Sequence, residues 1–589
     1  MMAADLTEFK PNLVVSIDFG TSGSGFAFQM RKDYEQSKTS NIYDNNDWGQ
    51  AVRRIKTSTC LLIKPDLQCK ENTVAYFGEN AENEYIGLEG DLEEWYFFRH
   101  FKMQLYEKQT IHSNMMIRGD KGKELPAYYV FGQSIRCIKQ NVLTYIGQWN
   151  EAYLNETIKW VITVPAIWSE GAKQIMRKAA EEAGIPHELT SIALEPEAAG
   201  IYCAESDAKL SEELNNGKPY VIVDMGGGTV DITTLLVAEK GKFIQLQPAS
   251  GCDAGGEMVN AKMYELISDI FGEEIWRFFS DEQSFCFVEF RRSVEAAKLS
   301  ITANKTDPKK DFFYLNLSAE ILSAFAEGKG CSITQAIRLS GNKRIEVKKG
   351  RLKVESDVLR EIMDETIQKV KSHVIQEIDD LQKIGHEICT VVLVGGFASS
   401  KFAFEKIKEY VQKEKPRIDV RRPPYSNIAV MNGAVMYGQD ESILVSRSLQ
   451  MTYGIRATRL YNKDFPAERK VEINGKAYVK NIFSVHAHRG QDVKRDEWIS
   501  HTGYFPVTGD QKKAVLQLVA SKEKYPKYTD EEGCFDIGHY TIEFSADKFQ
   551  HNCTDISFSF GTTEMKIRAR NTTTKYEIIE RVVLTESSI

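Results

Sequence analysis

Two stretches of the chain share one pattern: residues 14–25 read VVSIDFGTSGSG, and residues 221–232 read VIVDMGGGTVDI. Each stretch starts with apolar and β-branched residues, reaches an aspartate, Asp18 or Asp224, and continues into a turn of glycine and threonine. The first part of each pattern is typical of a buried strand. Because the two stretches lie far apart in the chain, they indicate a duplicated strand–turn–strand unit rather than a short-period repeat.

A strand that delivers an aspartate into a glycine-rich turn suits phosphate binding. Glycine lets the backbone approach a phosphate closely, and successive backbone N–H groups form an anion-binding concavity. The aspartate would repel the phosphate unless it holds a hydrated Mg²⁺, which keeps several waters and takes only one or two carboxylates. One such turn alone could be an ordinary hairpin. Two matching turns, with the Gly-Gly turn at 395–396, predict a site for the phosphates of a nucleotide.

The segments between and after these turns alternate strand and helix patterns. Residues 157–169 and 191–206 contain buried-strand patterns, residues 170–185 are rich in helix formers, and residues 388–411 suggest a strand, a glycine turn and a helix. Such alternation predicts an α/β architecture. From about residue 479 to 589 the chain changes to short alternating runs, such as VLQLVAS and ISFSF, which predict a β-sandwich or barrel.

The composition excludes several classes of protein. The chain has 589 residues, a mass of 66.9 kDa, a net charge of −8 and a pI of about 5.9, which argues against a general nucleic-acid binder. Its N-terminus lacks the apolar region of a signal peptide, and no uncharged apolar run is long enough to span a membrane. The ten cysteines are scattered, without a CxxC pair, which favours free thiols in a reducing cytosol over disulfides or a zinc site.

Four further motifs have ordinary structural explanations. Glu195-Pro196-Glu197 could be a loop before a helix, with acids that favour the helix N-terminus. Lys102 could be a surface lysine whose stem lies on the aromatic residues around it. Glu295 and Lys298 have the spacing of a simple i,i+3 ion pair on a helix. His486-Ala487-His488 places two imidazoles on one strand face, but no third metal ligand is visible.

Taken in chain order, the motifs resemble a known family. They are IDFGTSGSG, VITVPAIW, LEPEAAG, VDMGGGTVD, GGE, VEAAK and VLVGG. Together they are similar to the nucleotide-binding domain of the 70-kDa heat-shock proteins, and most of all to a divergent branch of that family. Actin and the sugar kinases share the two phosphate turns, but VITVPA and EPEAAG point away from them. The resemblance covers about residues 11–440 and implies the actin-like ATPase fold, α/β with two lobes built on duplicated sheets and ATP or ADP in the cleft.

The resemblance also implies roles for individual residues. Asp18 and Asp224 would hold Mg²⁺ through water, Glu195 would orient or deprotonate the attacking water, and Lys102 would stabilise charge at the γ-phosphate. The implied catalytic set is Asp18, Lys102, Glu195, Asp224 and Thr229. The residues implied to bind phosphates, with Asp231 supporting the second turn, are Gly20, Thr21, Ser22, Gly23, Gly226, Gly227, Gly228 and Thr229. The other implied nucleotide-binding residues are Gly255, Gly256, Glu295, Lys298, Gly395, Gly396, Phe397 and Ser399.

The sequence departs from the family at the adenosine end. Phe397 stands where the family usually has a small polar residue, Ser399 where an arginine usually stacks on adenine, and Leu299 where a second cation is usual. Residues 307–350 have no obvious counterpart and suggest an insertion on the adenosine side. These departures put adenine affinity and base selectivity in question, whereas the phosphate end is intact.

The C-terminal part is similar, more faintly, to the β-sandwich that binds peptides in this family, and no helical lid is expected. The predicted domains are 11–440, an actin-like nucleotide-binding domain; 441–478, a linker and the start of the β domain; and 479–589, a β-sandwich for a substrate or partner. The acidic, leucine-rich linker of the family is replaced by ESILVSRSL at 441–449.

Two functions fit these features. One is a cytoplasmic chaperone-like protein that couples slow ATP hydrolysis to the binding of protein segments, with co-chaperones or exchange factors as further partners. The alternative is a nucleotide-regulated adaptor or scaffold with little or no turnover, which the altered linker and the missing lid favour. A small-molecule kinase on the same fold would need an acceptor site, and no sugar-binding signature is present.

Overall fold

The computed structural model describes most of the chain. The described residues are 11–45, 47–48, 54–66, 72–88, 93–106, 111–214, 217–282, 284–303, 311–339, 341–504, 513–543, 554–571 and 577–581. The start of the predicted insertion, and parts of the predicted C-terminal β-sandwich, lie outside these residues.

The α/β part of the chain has two halves, and the first extends to residue 214. Its strands are β1 (Leu13–Phe19), β2 (Gly23–Met30), β3 (Tyr43–Asp44), β4 (Thr57–Ser58), β5 (Cys60–Lys64), β6 (Val74–Phe77), β7 (Tyr96–Arg99), β8 (Met116–Arg118), β9 (Glu124–Pro126), β10 (Ile158–Val164) and β11 (Thr190–Leu194). Its helices are α1 (Arg31–Gln36), α2 (Glu79–Gly87), α3 (Met103–Tyr106), α4 (Ala127–Trp149), α5 (Glu170–Glu182), α6 (Glu195–Ser206) and α7 (Ala208–Leu214).

The second half begins at residue 217. Its strands are β12 (Tyr220–Met225), β13 (Val230–Ala238), β14 (Lys242–Gln245), β15 (Ser250–Cys252), β16 (Phe312–Asn316), β17 (Ile345–Lys348), β18 (Arg351–Glu355), β19 (Thr390–Val394) and β20 (Asp419–Arg421). Its helices are α8 (Gly256–Phe271), α9 (Glu273–Arg277), α10 (Ser284–Ser300), α11 (Ala319–Lys329), α12 (Ile333–Leu339), α13 (Ser356–Lys383), α14 (Lys401–Glu414) and α15 (Ala429–Gln439).

The two halves repeat one sheet topology. The first sheet has the strand order β11-β10-β1-β2-β3, and the second runs β20-β19-β12-β13-β14. In each sheet an antiparallel hairpin, β1–β2 or β12–β13, is extended by two parallel strands. Helices follow the parallel strands, as the alternating sequence pattern predicts. This mixed α/β arrangement fits the predicted actin-like ATPase fold.

Helices α6 and α15 lie between the two sheets and join the halves. Their apolar residues form one buried cluster with residues of β1, β10, β12 and β19. The helices cross at very short range, because a Cβ atom on Gly433 would lie 1.7 Å from the carbonyl oxygen of Ala198. A side chain at that position would push the two halves apart, so the glycine is required by packing.

The predicted insertion is built into the second half. Its described strands β16 and β17 both pair with β18, which follows it directly, to form a small antiparallel sheet, accompanied by α11 and α12. Apolar residues of these elements belong to the same buried cluster as α8, α10 and α13. The long helix α13 is amphipathic, with one face buried in this cluster.

The C-terminal part has the strands β21 (Leu444–Ser448), β22 (Thr452–Leu460), β23 (Lys470–Ile473), β24 (Lys476–Ala487), β25 (Asp492–Lys494), β26 (Ile499–Tyr504), β27 (Lys513–Ser521), β28 (Cys534–Glu543), β29 (Thr554–Ser559), β30 (Lys566–Asn571) and β31 (Glu577–Arg581). Most of them form a five-stranded sheet, β23-β24-β22-β27-β28, and a four-stranded sheet, β26-β29-β30-β31. Apolar residues of both sheets share one buried cluster.

Strands β21 and β25 belong instead to the sheet of the second half. β21 pairs with β14 in parallel, and β25 pairs with β21 in the antiparallel direction. The stretch 441–449, predicted to belong to a linker, therefore contains a strand of the second sheet.

Two expectations from composition can be checked directly. None of the helices in the described ranges is both long and apolar enough to cross a membrane. The cysteines within those ranges, eight in all, are free, in agreement with the prediction of unpaired thiols.

Candidate functional site

The two glycine turns meet face to face. The first, Gly20–Gly23, connects β1 to β2, and the second, Gly226–Thr229, connects β12 to β13. A Cβ atom on Gly227 would lie 2.0 Å from the Ser22 Oγ, and one on Gly228 would lie 2.7 Å from the Thr21 Oγ1. Any side chain at these two positions would collide with the opposite turn. Because glycine has no Cβ, the two halves can approach each other closely here.

The start of α8 supports the second turn from behind. A Cβ atom on Gly255 would lie 2.2 Å from the carbonyl oxygen of Gly227. The backbone N–H of Gly256 donates to the carbonyl oxygen of Gly226 at 3.1 Å. The two glycines predicted from the GGE motif therefore lie against the second turn.

The two duplicated aspartates lie at the ends of β1 and β12, beside these turns. Asp18 is almost fully buried; its Oδ1 accepts a hydrogen bond from the Thr163 Oγ1 at 3.0 Å. Its Oδ2 lies 2.6 Å from the Nζ of Lys56. Asp231 accepts hydrogen bonds from the Thr229 Oγ1 at 2.8 Å and from the backbone N–H of Ile167 at 3.2 Å, and so holds the second turn in place.

Lys102 and Glu195 form a buried ion pair in the same region. The Lys102 Nζ lies 2.6 Å from the Glu195 Oε1, and the two side chains are only 3% and 11% exposed. The ammonium also lies 5.4 Å from the ring centre of Trp168. Both ordinary explanations are therefore wrong here: Lys102 is not a surface lysine, and Glu195 is the first residue of α6 rather than part of a preceding loop.

The site holds more buried acids than the two lysines can balance. Burial raises the pKa of Glu195 to about 7, with the nearby carboxylates acting in the same direction and Lys102 opposing them. Burial, followed by the charges of Glu195, Asp231 and Asp18, raises the pKa of Asp224 well above its usual value. A carboxylate shifted in this way is stabilised in its ionised form by an added cation.

This excess of negative charge fits a hydrated divalent cation. Within the described residues no group of three or more His, Cys, Asp and Glu side chains is arranged to bind a metal directly. Mg²⁺ commonly keeps several waters and uses one or two carboxylates together with phosphate oxygens. Asp18 and Asp224 therefore suit an ion held through water rather than in a cage of protein ligands.

The residues predicted for the rest of the nucleotide form a second cluster. The Lys298 Nζ lies 2.6 Å from the Glu295 Oε2, as expected for an i,i+3 pair, and also donates to the carbonyl oxygen of Gly256 at 3.1 Å. Gly395 has a φ of +91°, and a Cβ atom there would lie 2.4 Å from the Asp224 Oδ1. The Gly-Gly turn therefore brings the end of β19 against the second aspartate.

The three residues that depart from the family pattern lie at or near the Gly-Gly turn and α10. Phe397 is buried, and a Cβ atom added to Gly256 would lie 3.6 Å from the Cβ of Phe397. The carbonyl oxygen of Ser399 accepts a hydrogen bond from the Arg422 guanidinium at 3.0 Å. Leu299 is 45% exposed. An arginine is thus present near this turn, although it comes from the loop after β20.

Sequence reasoning missed several residues of the site. Ser22 donates to the Glu257 Oε1 at 2.7 Å, which links the first turn to the second lobe. Glu257 directly follows the two glycines of the GGE motif, so the motif itself could have indicated that this residue belongs to the site. Lys56 and Arg422 lie in loops without a recognisable motif, and only the fold brings them to the cleft.

The two histidines of the His-Ala-His motif do not form a metal site. His486 is buried; its Nε2 lies 2.9 Å from the Tyr504 hydroxyl, and its ring stacks on His501 at 4.1 Å. The Nδ1 of His488 lies 2.8 Å from the carbonyl oxygen of Lys524. The two imidazoles therefore have separate surroundings within the β part.

Similarity to known proteins supports the resemblance seen in the motifs. The family described as Hsp70 protein matches residues 100–327. Heat shock 70 kDa protein 12B of Homo sapiens is 25% identical, over 96% of this chain and 90% of the relative. Heat shock 70 kDa protein 12A of Mus musculus is 26% identical with the same coverage. Chaperone protein DnaK of Elusimicrobium minutum is 24% identical over 53% of this chain and 45% of its own. The predicted resemblance to a divergent branch of the 70-kDa heat-shock proteins is confirmed.

Proposed function

We infer, from this resemblance to the 70-kDa heat-shock proteins, that the chain binds Mg-ATP, hydrolyses it slowly and couples the nucleotide to the binding of protein segments. The observation that carries the proposal is the meeting of two glycine turns, each with a buried aspartate, around the Lys102–Glu195 pair. Glycine turns accept phosphates, and the excess of buried acids accepts the accompanying cation.

The proposed roles follow from the positions of the side chains. Asp18 and Asp224 would hold the hydrated Mg²⁺, which supplies positive charge against the phosphates. Thr21, Ser22 and the turn Gly226–Thr229 would hold the phosphates. Because a Cβ atom on Gly227 would lie only 2.0 Å from the Ser22 Oγ, the two turns must move apart to admit them. A general base works best with a pKa near the working pH, and the pKa of Glu195, raised to about 7 by burial, suits the activation of water.

Lys102 complements Glu195 in this proposal. Its ammonium is fixed by the carboxylate and by Trp168, so it needs little reorganisation to face a developing negative charge. Glu295, Lys298 and the Gly-Gly turn would accept the adenosine. Since Phe397 and Ser399 replace the residues usual in the family, we expect weaker discrimination between purine bases than in other members.

The β part is proposed to bind the protein partner. Its two sheets follow directly from the strand β21, which is tied to the nucleotide-binding region by a buried ion pair between Arg447 and Glu197. We propose that residues 11–440 take the nucleotide and the β part takes the partner, and that the protein acts in the cytoplasm. The predicted boundary between 441–478 and 479–589 falls inside β24 (Lys476–Ala487), so these two stretches would act as one unit.

An adaptor with little turnover is the second candidate. The observation that favours it is the same buried tie, because Arg447 also donates to the carbonyl oxygen of Gly561 in the β part. A connection held this firmly suits a fixed platform better than a chaperone whose two parts move against each other in every cycle.

A single-turnover experiment tests the proposal and separates the candidates. Labelled Mg-ATP is mixed with excess protein, bound nucleotide is recovered on a filter, and its conversion to ADP is followed. Hydrolysis by the wild type and by Glu181→Gln, a control at an exposed glutamate, but not by Glu195→Gln, supports the ATPase. Retained but intact ATP supports the adaptor. If no ATP is retained by the wild type, the nucleotide-binding proposal is wrong.

A further inference from the structure

Lys56 reaches the candidate site from a loop that packs against the first glycine turn. The loop leads into β4, which pairs with β2 through Gly23↔Ser58 and Ser24↔Thr57. A Cβ atom on Gly25 would lie 3.0 Å from the Lys56 Cγ. The stem of the lysine is therefore positioned by the same strand that forms one side of the turn.

The ammonium of Lys56 enters the group of buried acids. Its Nζ lies 2.6 Å from the Asp18 Oδ2; the lysine side chain is 27% exposed, and that of Asp18 is 4% exposed. Lys56 therefore places an ammonium group directly beside the first aspartate, at the phosphate end.

The two lysines of the site have different partners. Lys102 pairs with Glu195, whereas Lys56 pairs with Asp18. Both lysines come from the first half, whereas Asp224, the counterpart of Asp18 in the second half, has Glu195, Asp231 and Asp18 among its charged neighbours. Positive charge supplied by the protein is thus concentrated on the side of the first turn.

We propose that Lys56 is a phosphate-binding residue that holds the terminal phosphate of ATP beside Asp18 and makes binding less dependent on Mg²⁺. An ammonium group has three N–H donors, so Lys56 can donate to Asp18 and to a phosphate oxygen together. Without it, the phosphate would face the Asp18 carboxylate directly. This inference rests on the proposed nucleotide site and adds a protein-supplied cation to it.

Equilibrium binding with and without Mg²⁺ tests the inference. The affinities of full-length wild type, Lys56→Met, Lys56→Arg and Lys415→Met for ATP and ADP are measured in excess Mg²⁺ and in EDTA. Lys415 is a matched control, because it forms a comparable ion pair with Asp379, far from the turns, and its side chain is 22% exposed. A lost charge-assisted contact should weaken ATP binding in EDTA about tenfold or more.

The expected pattern is specific to a phosphate contact. Lys56→Met should weaken ATP binding in EDTA much more than in Mg²⁺ and more than it weakens ADP binding, Lys56→Arg should recover most of the loss, and Lys415→Met should match the wild type. Equal losses in Mg²⁺ and EDTA, equal losses for ATP and ADP, or no loss would overturn the inference alone.

The affinity of the wild type shows whether only the role of Lys56 is wrong or whether the proposed nucleotide site is wrong as well. If the wild type binds ATP in Mg²⁺ but has no measurable affinity in EDTA, Lys56 does not replace the metal and the inference is wrong, while the site stands. If the wild type binds no ATP in Mg²⁺, the proposed site and the role of Lys56 fail together.

Discussion

The two α/β halves share a backbone plan but differ in charge. Both contain an antiparallel hairpin and two parallel strands, and in both a buried aspartate is the last residue but one of the hairpin's first strand. Asp18 is paired with Lys56 and accepts a hydrogen bond from Thr163. Asp224 instead has acids as its main charged neighbours. The turn and its aspartate are therefore common to both halves, whereas a directly paired lysine is present at Asp18.

The helices after the outer parallel strands differ as well. In the first half, α6 begins directly after β11 and carries two acids, Glu195 toward Lys102 and Glu197 toward Arg447. In the second half, a loop containing Arg422 separates β20 from α15. The first half thus provides both lysines of the site and a tie to the β part, while the second provides the Gly-Gly turn and a sheet edge for β21.

The largest expected effect on stability comes from breaking the buried ion pair between Arg447 of β21 and Glu197 of the first half. Arg447 and Glu197 are 8% and 3% exposed, with the Arg447 Nη2 2.8 Å from the Glu197 Oε2. Arg447→Met would leave a buried carboxylate without its partner, and we expect the free energy of unfolding to fall by about 3–5 kcal/mol. Urea titration measures this change.

A control variant and a double variant test whether the loss of stability comes from the buried ion pair. Arg456→Met removes an arginine from an exposed pair with Asp536, in which the side chains are 38% and 39% exposed, and should cost at most about 1 kcal/mol. Adding Glu197→Gln to Arg447→Met should recover part of the loss. An Arg447 variant as stable as the Arg456 control would show that the buried pair contributes little.

The two aspartates should respond in opposite ways to the same substitution. Asp18→Asn removes the partner of Lys56, so we expect the unliganded protein to lose about 1–3 kcal/mol of stability. Asp224→Asn removes a like charge from a cluster of acids, so we expect stability to be unchanged or higher. Thermal unfolding without nucleotide or Mg²⁺ compares the two, and changes of the same sign and size would contradict the difference between the halves.

The Gly-Gly turn belongs to the second half, and substitution by alanine should lower the stability of the protein at only one of its two positions. Gly395 has a φ of +91°, and an added Cβ would meet the Asp224 Oδ1 at 2.4 Å. Gly395→Ala should therefore cost about 1–3 kcal/mol. Gly396 has a φ of −65° and no atom within 4 Å of an added Cβ, so Gly396→Ala should change stability by less than about 0.5 kcal/mol. Equal effects in urea titration would rule out this explanation.

A further expected effect is a pH dependence of stability that originates in the first half. The pKa of Glu195 is raised by burial to about 7, so between about pH 4.5 and 7 the folded state holds a proton that the unfolded state has lost. Stability of the unliganded protein should therefore fall as pH rises through this window, by at most about 1.4 kcal/mol per unit. Glu195→Gln should flatten this part of the pH profile, and an unchanged slope in the variant would exclude Glu195 as its source.

Local patterns were enough to predict much of the architecture. The duplicated strand–turn units, the helices after the parallel strands and the alternating C-terminal strands all have signals within a few residues of sequence. The pairing of Lys102 with Glu195 was not foreseen, although both residues were selected by motif.

Contacts between distant segments could not be predicted in the same way. Lys56 lies in a loop whose role depends on the pairing of β4 with β2. Arg447 and Glu197 are brought together only when β21 joins the second sheet. The strand β21 itself, LVSRS, mixes apolar and polar residues, so its identity as a strand depends on its neighbours rather than on its own sequence.

The position of β21 determines how the chain can be divided into fragments. A fragment that stops at Asp440 would leave the β14 edge without its partner, and open edges of this kind invite self-association. A fragment that continues to Lys494 would cover that edge but separate β22, β23 and β24 from β27 and β28, which complete their sheet. No single cut between these two points keeps both sheets whole, so fragments produced together should reassemble better than either folds alone.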